Sequence, residues 1–329
     1  MAERSSSDSS LALSESDPTS PCTDASVSPT AGLEQEWLPN YNTYDGKNFP
    51  PLVRPENLDS LKRCKTRSDD VFVCTYSKSG TTWMQHIVRL LKNNGQTESD
   101  QAIVNVIPFL EEYHVDNIDL WTSPRTMKCH LPHHMVPQPS SMDETASSPK
   151  YIYAMRDPRD VAVSLFYHTR AFEKYEFTGD WNDFFHIFLN GKAEYGSWFE
   201  HVCGWWQRRH YRNVLVVSYE EMQQDLRQVV CKVASFLNLA NVTDSVIDQV
   251  VAKSSFSAMR VDKTANYSWD DQYRRPGHVP FFRKGQVGDW TNHFTAEQAR
   301  EFDAVYRRFA ERVGDFPECY CSGAGVATS

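Results

Sequence analysis

A short apolar run, Val71-Phe72-Val73-Cys74, empties into the polar turn Thr75-Tyr76-Ser77-Lys78-Ser79-Gly80-Thr81-Thr82. A helical pattern follows at once, with Trp83, Ile87, Leu90 and Leu91 on one face. A strand that runs through a tight loop into a helix is the unit of an α/β architecture. The loop presents backbone N–H groups, two hydroxyls and a lysine at a helix N-terminus, which is a natural place for an anion, and a phosphate group is the expected guest. The order of residues excludes the commonest such loop. A Walker sequence puts lysine after the second glycine, whereas Lys78 precedes Gly80 and no glycine lies upstream in the turn. A nucleotide kinase or NTPase therefore fits poorly, and the plain alternative is a strand–helix turn with a solvated lysine.

Two further segments answer that alternative. Arg156-Asp157-Pro158-Arg159-Asp160 follows the strand-like run Tyr151-Ile152-Tyr153-Ala154-Met155. Pro158 breaks the chain, Asp160 is expected to cap the helix starting at Val161, and Ser164 then falls in the first turn, where backbone donors are free. Arg156 and Ser164 can converge on a second anion; a salt-bridged surface turn is the competing reading. The third segment, Phe281-Phe282-Arg283-Lys284-Gly285-Gln286-Val287-Gly288-Asp289-Trp290, pairs two cations with two glycines. Glycine lets backbone approach a ligand closely, although basic turns are common.

In order and separation, these three segments resemble the cytosolic sulfotransferases, which use PAPS (3′-phosphoadenosine 5′-phosphosulfate). That family carries a TYPKSGTTW loop, an R-x7-S element and a late RKGxxGDW segment. The resemblance runs from about residue 37 to 318 and departs at Ser77, where the family usually has proline. It implies a P-loop-like nucleotide-binding sulfotransferase fold, with PAPS as co-substrate and no metal. It also implies that Lys78 stabilises the leaving 5′-phosphate, held by the loop Ser79, Gly80, Thr81 and Thr82. Arg156 and Ser164 would hold the 3′-phosphate, with Arg283, Lys284 and Gly285 closing over it, and Ser164 would restrain the lysine. Arginine suits this task because its fork matches phosphate oxygens. The adenine slot falls to Trp83, Tyr219 and Phe256, with Ser254 and Met259 beside them. Standing alone, such aromatics would read as core. Tyr219 ends the run Val214-Leu215-Val216-Val217-Ser218, which reads as a buried parallel strand.

The acceptor side rests on Met127-Lys128-Cys129-His130-Leu131-Pro132, which is similar to the family's K-T/S-H-L-P element. It makes His130 the general base, in a pH range that suits base catalysis. Lys128, two residues earlier, points to the same side of a strand, near the transferring sulfuryl oxygens or the acceptor. His133 and His134 are neighbours without that spacing, and no carboxylate base is obvious. Cys129 reads as a packed, inert thiol. Phe109 matches a segment that lines the family's acceptor site. His168 stands where relatives acting on small phenols often carry an aromatic, so simple phenols are disfavoured. Residues 263–282 are expected to cap the site. The acceptor stays open among phenol, steroid, amine and other metabolites, bound through its hydroxyl or amine.

Composition agrees with an intracellular enzyme. Of the net charge of −9, the first 36 residues carry −6, from seven acids and one arginine, leaving −3 for the body. That excludes a nucleic-acid surface. Residues 1–32, rich in Ser, Thr, Pro and Asp, cannot bury enough surface to fold, so 1–36 is expected to be a disordered tail. One domain then spans 37–318 and a flexible tail 319–329. No secretory h-region or membrane-length run is present, and a cytoplasmic protein that binds no membrane is expected. Eight cysteines show no paired framework, so reduced thiols are expected; Cys319 and Cys321 form a lone C-x-C, too little for zinc. Glu220 to Asn238 reads as one amphipathic helix, and Thr295 with Gln298 as a capping box before another. The whole predicts a single α/β domain around a mainly parallel sheet flanked by helices. The family's dimer motif is degraded to Thr291, Thr295, Ala296 and Arg300, which favours a monomer or a dimer through another surface. Two rival readings are a nucleotide-binding protein without turnover and a phosphotransferase.

Overall fold

Asp45 and Gly46 both take positive φ, 48° and 69°, the pair of left-handed conformations that closes a tight hairpin. They join β1 (Asn42–Tyr44) to β2 (Lys47–Phe49), a hairpin that the sequence reading did not foresee. The computed structural model describes residues 38–97, 100–139 and 148–317. The expected tails 1–36 and 319–329, with Cys319 and Cys321, lie outside the described residues.

The central sheet contains β3 (Val71–Thr75), β4 (Thr126–Cys129), β5 (Lys150–Met155) and β6 (Val214–Ser218) in the order β4-β3-β5-β6. All its pairings are parallel, as expected for strands that read as continuous apolar runs. Side chains alternate across it. Phe72, Cys74, Met127, Cys129, Tyr151 and Tyr153 face one core, shared with the helices Trp181–Leu189, Trp198–Trp206 and Ala296–Val313. Val71, Val73, Ile152 and Val217 face the other, under the helices Thr81–Lys92, Leu226–Phe236 and Asp244–Lys253. The result is a three-layer α/β domain. In open parallel sheets, ligands bind beyond the carboxyl ends of the strands. Here those ends lead directly to Tyr76, His130, Arg156 and Tyr219.

Three local expectations change. The helix after β5 is Pro158–Ala171, with Asp157 as its cap and Pro158 at the first position, where a missing N–H costs nothing. Asp160 is therefore not the cap, and Ser164 lies in the second turn. The stretch expected as one helix is two, Tyr219–Gln224 and Leu226–Phe236. The side chain of Asp225 accepts from the Gln228 N–H and starts the second. Cys203 is disulfide-bonded, against the expectation of reduced thiols throughout; Cys64, Cys74, Cys129 and Cys231 are free. The Thr295–Gln298 capping box is present. Among the described residues no helix is long and apolar enough to cross a membrane.

Candidate active site

At the carboxyl edge of the sheet lies a cavity of about 970 Å³. Its first wall is the loop after β3. Gly80 caps the helix Thr81–Lys92 with φ 97° and no side-chain cap, so the first N–H groups of that helix stay available to an anion. A Cβ on Gly80 would come within 2.9 Å of the Tyr219 ring. Lys78 holds φ 69°, a conformation few non-glycine residues adopt, and its Nζ sits 4.2 Å from the Phe281 ring centre. Burial and then the positive charge of Arg274 pull its pKa down to about 7, with Glu194 acting in the opposite sense.

Arg156 binds the three basic segments together. It donates to the Lys78 carbonyl at 3.4 Å and to the Gln286 carbonyl at 2.9 Å, and its guanidinium lies 4.2 Å from the Tyr219 ring centre. Its Nε is buried with no partner among the described residues. Asp160 accepts from the Gly288 and Trp290 N–H groups at 2.7 and 2.9 Å, which fixes the third segment to the helix Pro158–Ala171. Arg283 and Lys284 both pair with Asp289 at 2.6 Å. Gly285 takes φ 65°, and a Cβ there would fall 2.2 Å from the Phe256 ring. Trp83, Tyr219, Phe256 and Met259 line the cavity beside these cations, as do Thr81, Thr82 and Ser164. Ser79 and Ser254 are fully buried outside the lining, their hydroxyls unpartnered among the described residues.

The other end is built on β4. A bridge between Phe109 and Lys128 lays the Pro108 carbonyl against the Lys128 N–H at 2.9 Å. The Lys128 Nζ then stands 4.0 Å from the Phe109 ring centre. His130, one residue past the strand, also lines the cavity. Its Nδ1 is 3.0 Å from both the carbonyl and the hydroxyl of Thr75, and that hydroxyl is 2.6 Å from the Thr81 hydroxyl. With Nδ1–H donated to the carbonyl, the neutral ring keeps its lone pair on Nε2. Burial, reinforced by the charge on Lys128, holds the His130 pKa well below the usual histidine range. The backbone is pinned as well. Its N–H donates to Glu111 Oε1, and its carbonyl accepts from His201 Nε2 at 2.9 Å. His168 lines the cavity one turn after Ser164, packed against Phe172. Tyr267, Trp269, Asp270, Gln272, Tyr273 and Phe281, from the segment expected to form a cap, also line it.

Several residues here escaped sequence reasoning. Glu111 anchors the His130 backbone, and burial raises its pKa to about 8. Glu194 lines the cavity at 1% exposure and accepts from the Tyr175 hydroxyl at 2.6 Å. Tyr195 lies 5.4 Å from the His130 ring with φ 67°. No local motif marks Glu194-Tyr195; only the neighbouring Gly196 hints at an unusual backbone.

A family model described as a sulfotransferase domain matches residues 68–317. Rat sulfotransferase 1C2 is 35% identical over 269 residues, covering 78% of this chain and 89% of the relative. Zebrafish cytosolic sulfotransferase 1 is 36% identical over 270 residues, covering 77% and 86%. A crystal structure of mouse sulfotransferase SULT7A1 complexed with PAP superposes with a TM-score of 0.68 at 30% identity, covering 82% of this chain and 94% of that one.

Proposed function

The chain belongs to the sulfotransferase family, and on that premise we propose how its residues move a sulfuryl group from PAPS to a small-molecule acceptor. It is a PAPS-dependent sulfotransferase; the division of roles is our reading. Lys78 and the N-terminus of the helix Thr81–Lys92 hold the 5′-phosphate, and the lysine stabilises the charge that grows there as the S–O bond breaks. Arg156, Ser164, Arg283 and Lys284 hold the 3′-phosphate. Trp83, Tyr219, Phe256 and Met259 enclose the adenine. His130 Nε2 takes the acceptor's proton, and Lys128 stands beside the transferring oxygens. Positioning does most of the work in such loose transfers.

The observation that carries this reading is Arg156, which bridges the Lys78 and Gln286 carbonyls and so draws three distant basic segments around one cavity. Lys128 and His130 line its other end. The fit to the donor is physical: glycines stand where a Cβ would strike an aromatic wall, and a buried guanidinium nitrogen lacks a partner among the described residues. The domain spans residues 37–318 and acts in the cytoplasm, a site supported by the cytosolic zebrafish relative.

An acceptor screen with purified protein and PAPS, read by mass spectrometry for added sulfate, tests the activity. Lys78→Ala and His130→Ala should each lower kcat by about 10²-fold or more. Arg156→Ala should act mainly through the KM for PAPS. Wild-type turnover in Lys78→Ala would remove the leaving-group role.

A further inference from the structure

The four carboxylates that line the cavity, Glu112, Glu173, Glu194 and Asp270, all come from segments outside the three basic loops. None forms an ion pair among the described residues. Lys128 and Lys174 line the cavity with them, and Lys78 also acts on Glu194, while Arg156, Arg283 and Lys284 belong to the other basic segments. Glu194 is the deepest of the four. Burial raises its pKa, while hydrogen bonds from Ser77 and Tyr175 pull it down. Ser77 is the position where the chain departs from the family loop, so that departure places a hydroxyl beside this carboxylate.

Two buried hydroxyls of the cavity lining lack partners among the described residues. Tyr195 and Tyr267 are 1% and 6% exposed, both line the cavity, and neither Oη has a hydrogen bond among the described residues. Buried polar atoms without partners are costly, and so is a buried carboxylate with no cation at ion-pair distance; Lys78 and Lys174 act on Glu194 only from farther off. Aromatic faces stand by: Tyr267 stacks on Phe281 at 4.2 Å and lies 4.8 Å from Trp269. A bound nucleotide brings more negative charge next door. An acceptor that satisfied all of these groups would carry a cation able to donate hydrogen bonds and lie against aromatic rings.

We propose that the acceptor carries a positively charged nitrogen, a protonated amine or a guanidinium, and that Glu194 and the Tyr195 hydroxyl read it beside the group that is sulfated. This proposal rests on the sulfotransferase reading above. The sulfated atom is a separate hydroxyl or unprotonated nitrogen, since the cationic centre has no free lone pair. That atom's lone pair forms the new bond to sulfur, the S–O bond to the 5′-phosphate breaks, and the proton passes to His130.

Matched acceptors that differ in charge test the proposal: tyramine against N-acetyltyramine and 4-ethylphenol, and 2-amino-1-phenylethanol against 1-phenylethanol. Each is offered with PAPS, and kcat/KM is read by mass spectrometry. The cationic member of each set should be preferred by about tenfold or more, the size of one charge-assisted contact. Glu194→Gln should cut that ratio by about fivefold or more, and Asp270→Asn in the half-buried cap by about twofold. The ratio is taken within one variant, so a general loss of activity does not mimic the result. If Glu194→Gln does not fold, Tyr195→Phe supplies the same ratio. Neutral members used equally well overturn the proposal, as does a lack of sulfation in every set while PAP still raises Tm. Failure of PAP to raise Tm removes the sulfotransferase reading, and this proposal with it.

Discussion

Lys78 combines two features that are costly together. It adopts a left-handed backbone, and its ammonium is buried where its pKa falls from 10.5 to about 7. Strain and desolvation of this kind gather at functional sites. The sign of the consequence follows. In the free protein Lys78 is mostly neutral by about pH 8.5, and a phosphate placed beside it restores the charge. Binding of PAP should therefore take up close to one proton near pH 8.5 and almost none below about pH 6, where the lysine is already charged. Calorimetry in buffers of different ionisation enthalpy reads this directly. Uptake that persists in Lys78→Met would assign the proton to another group. Gly285 carries a second prediction at this scale. Its φ of 65° and the Phe256 ring, 2.2 Å from where a Cβ would stand, leave no room for a side chain. Gly285→Ala should weaken PAP by about tenfold and cost roughly 1–3 kcal/mol of stability, measured by titration and urea unfolding.

At the scale of elements, the phosphate loops were readable because each is contiguous. In the first two a strand, a turn and a helix start fall within a few residues and the chemistry sits in the turn, while the third is a loop that ends in a short 3-10 turn. The adenine aromatics and His130 were named through the family's motifs; of them Tyr219 and His130 directly follow strand ends, whereas Trp83 sits within a helix and Phe256 opens one. What stayed hidden depends on contacts between segments. Glu194 enters the cavity only because the chain returns past β2, where the Tyr195 N–H donates to the Asn48 carbonyl at 2.7 Å. Glu111 matters because a bridge sets it against β4. Asp160 departs from expectation for a related reason. A cap is a local event, and Asp157 with Pro158 already supplies it, so Asp160 is free to bind a loop 128 residues away. That tie makes a prediction. Asp160→Asn replaces one of two backbone acceptors with a donor, and should cost roughly 1–3 kcal/mol of stability. The loop carrying Arg283 and Lys284 loses its anchor, so PAP affinity should fall by about tenfold. An unchanged affinity, with stability reduced, would mean that the loop holds its shape without the helix.

Over the whole molecule, the donor end is assembled from parts that the chain keeps far apart. Lys78 follows β3, Arg156 follows β5, and Arg283 arrives after the last strand of the sheet, on a segment held by the helix that Arg156 precedes. Only the parallel order β4-β3-β5-β6 brings these turns to one edge. A ligand that bridges all three binds the folded chain and has no counterpart in the unfolded one. It must then stabilise the fold by mass action, by about 2.7 kcal/mol when present at a hundred times its Kd. The second phosphate tells the nucleotides apart. In the proposed arrangement adenosine 5′-monophosphate would reach the Lys78 loop and the adenine walls but leave Arg156, Arg283 and Lys284 unused. At equal concentration it should raise Tm less than PAP does. A charge-assisted phosphate contact contributes about 1.5–3 kcal/mol, so the affinity gap should be about tenfold or more. Arg156→Ala should close most of that gap by weakening PAP far more than the monophosphate. If the two nucleotides stabilise the wild-type chain equally, the second and third basic segments do not form the 3′-phosphate site, whatever the cavity's shape.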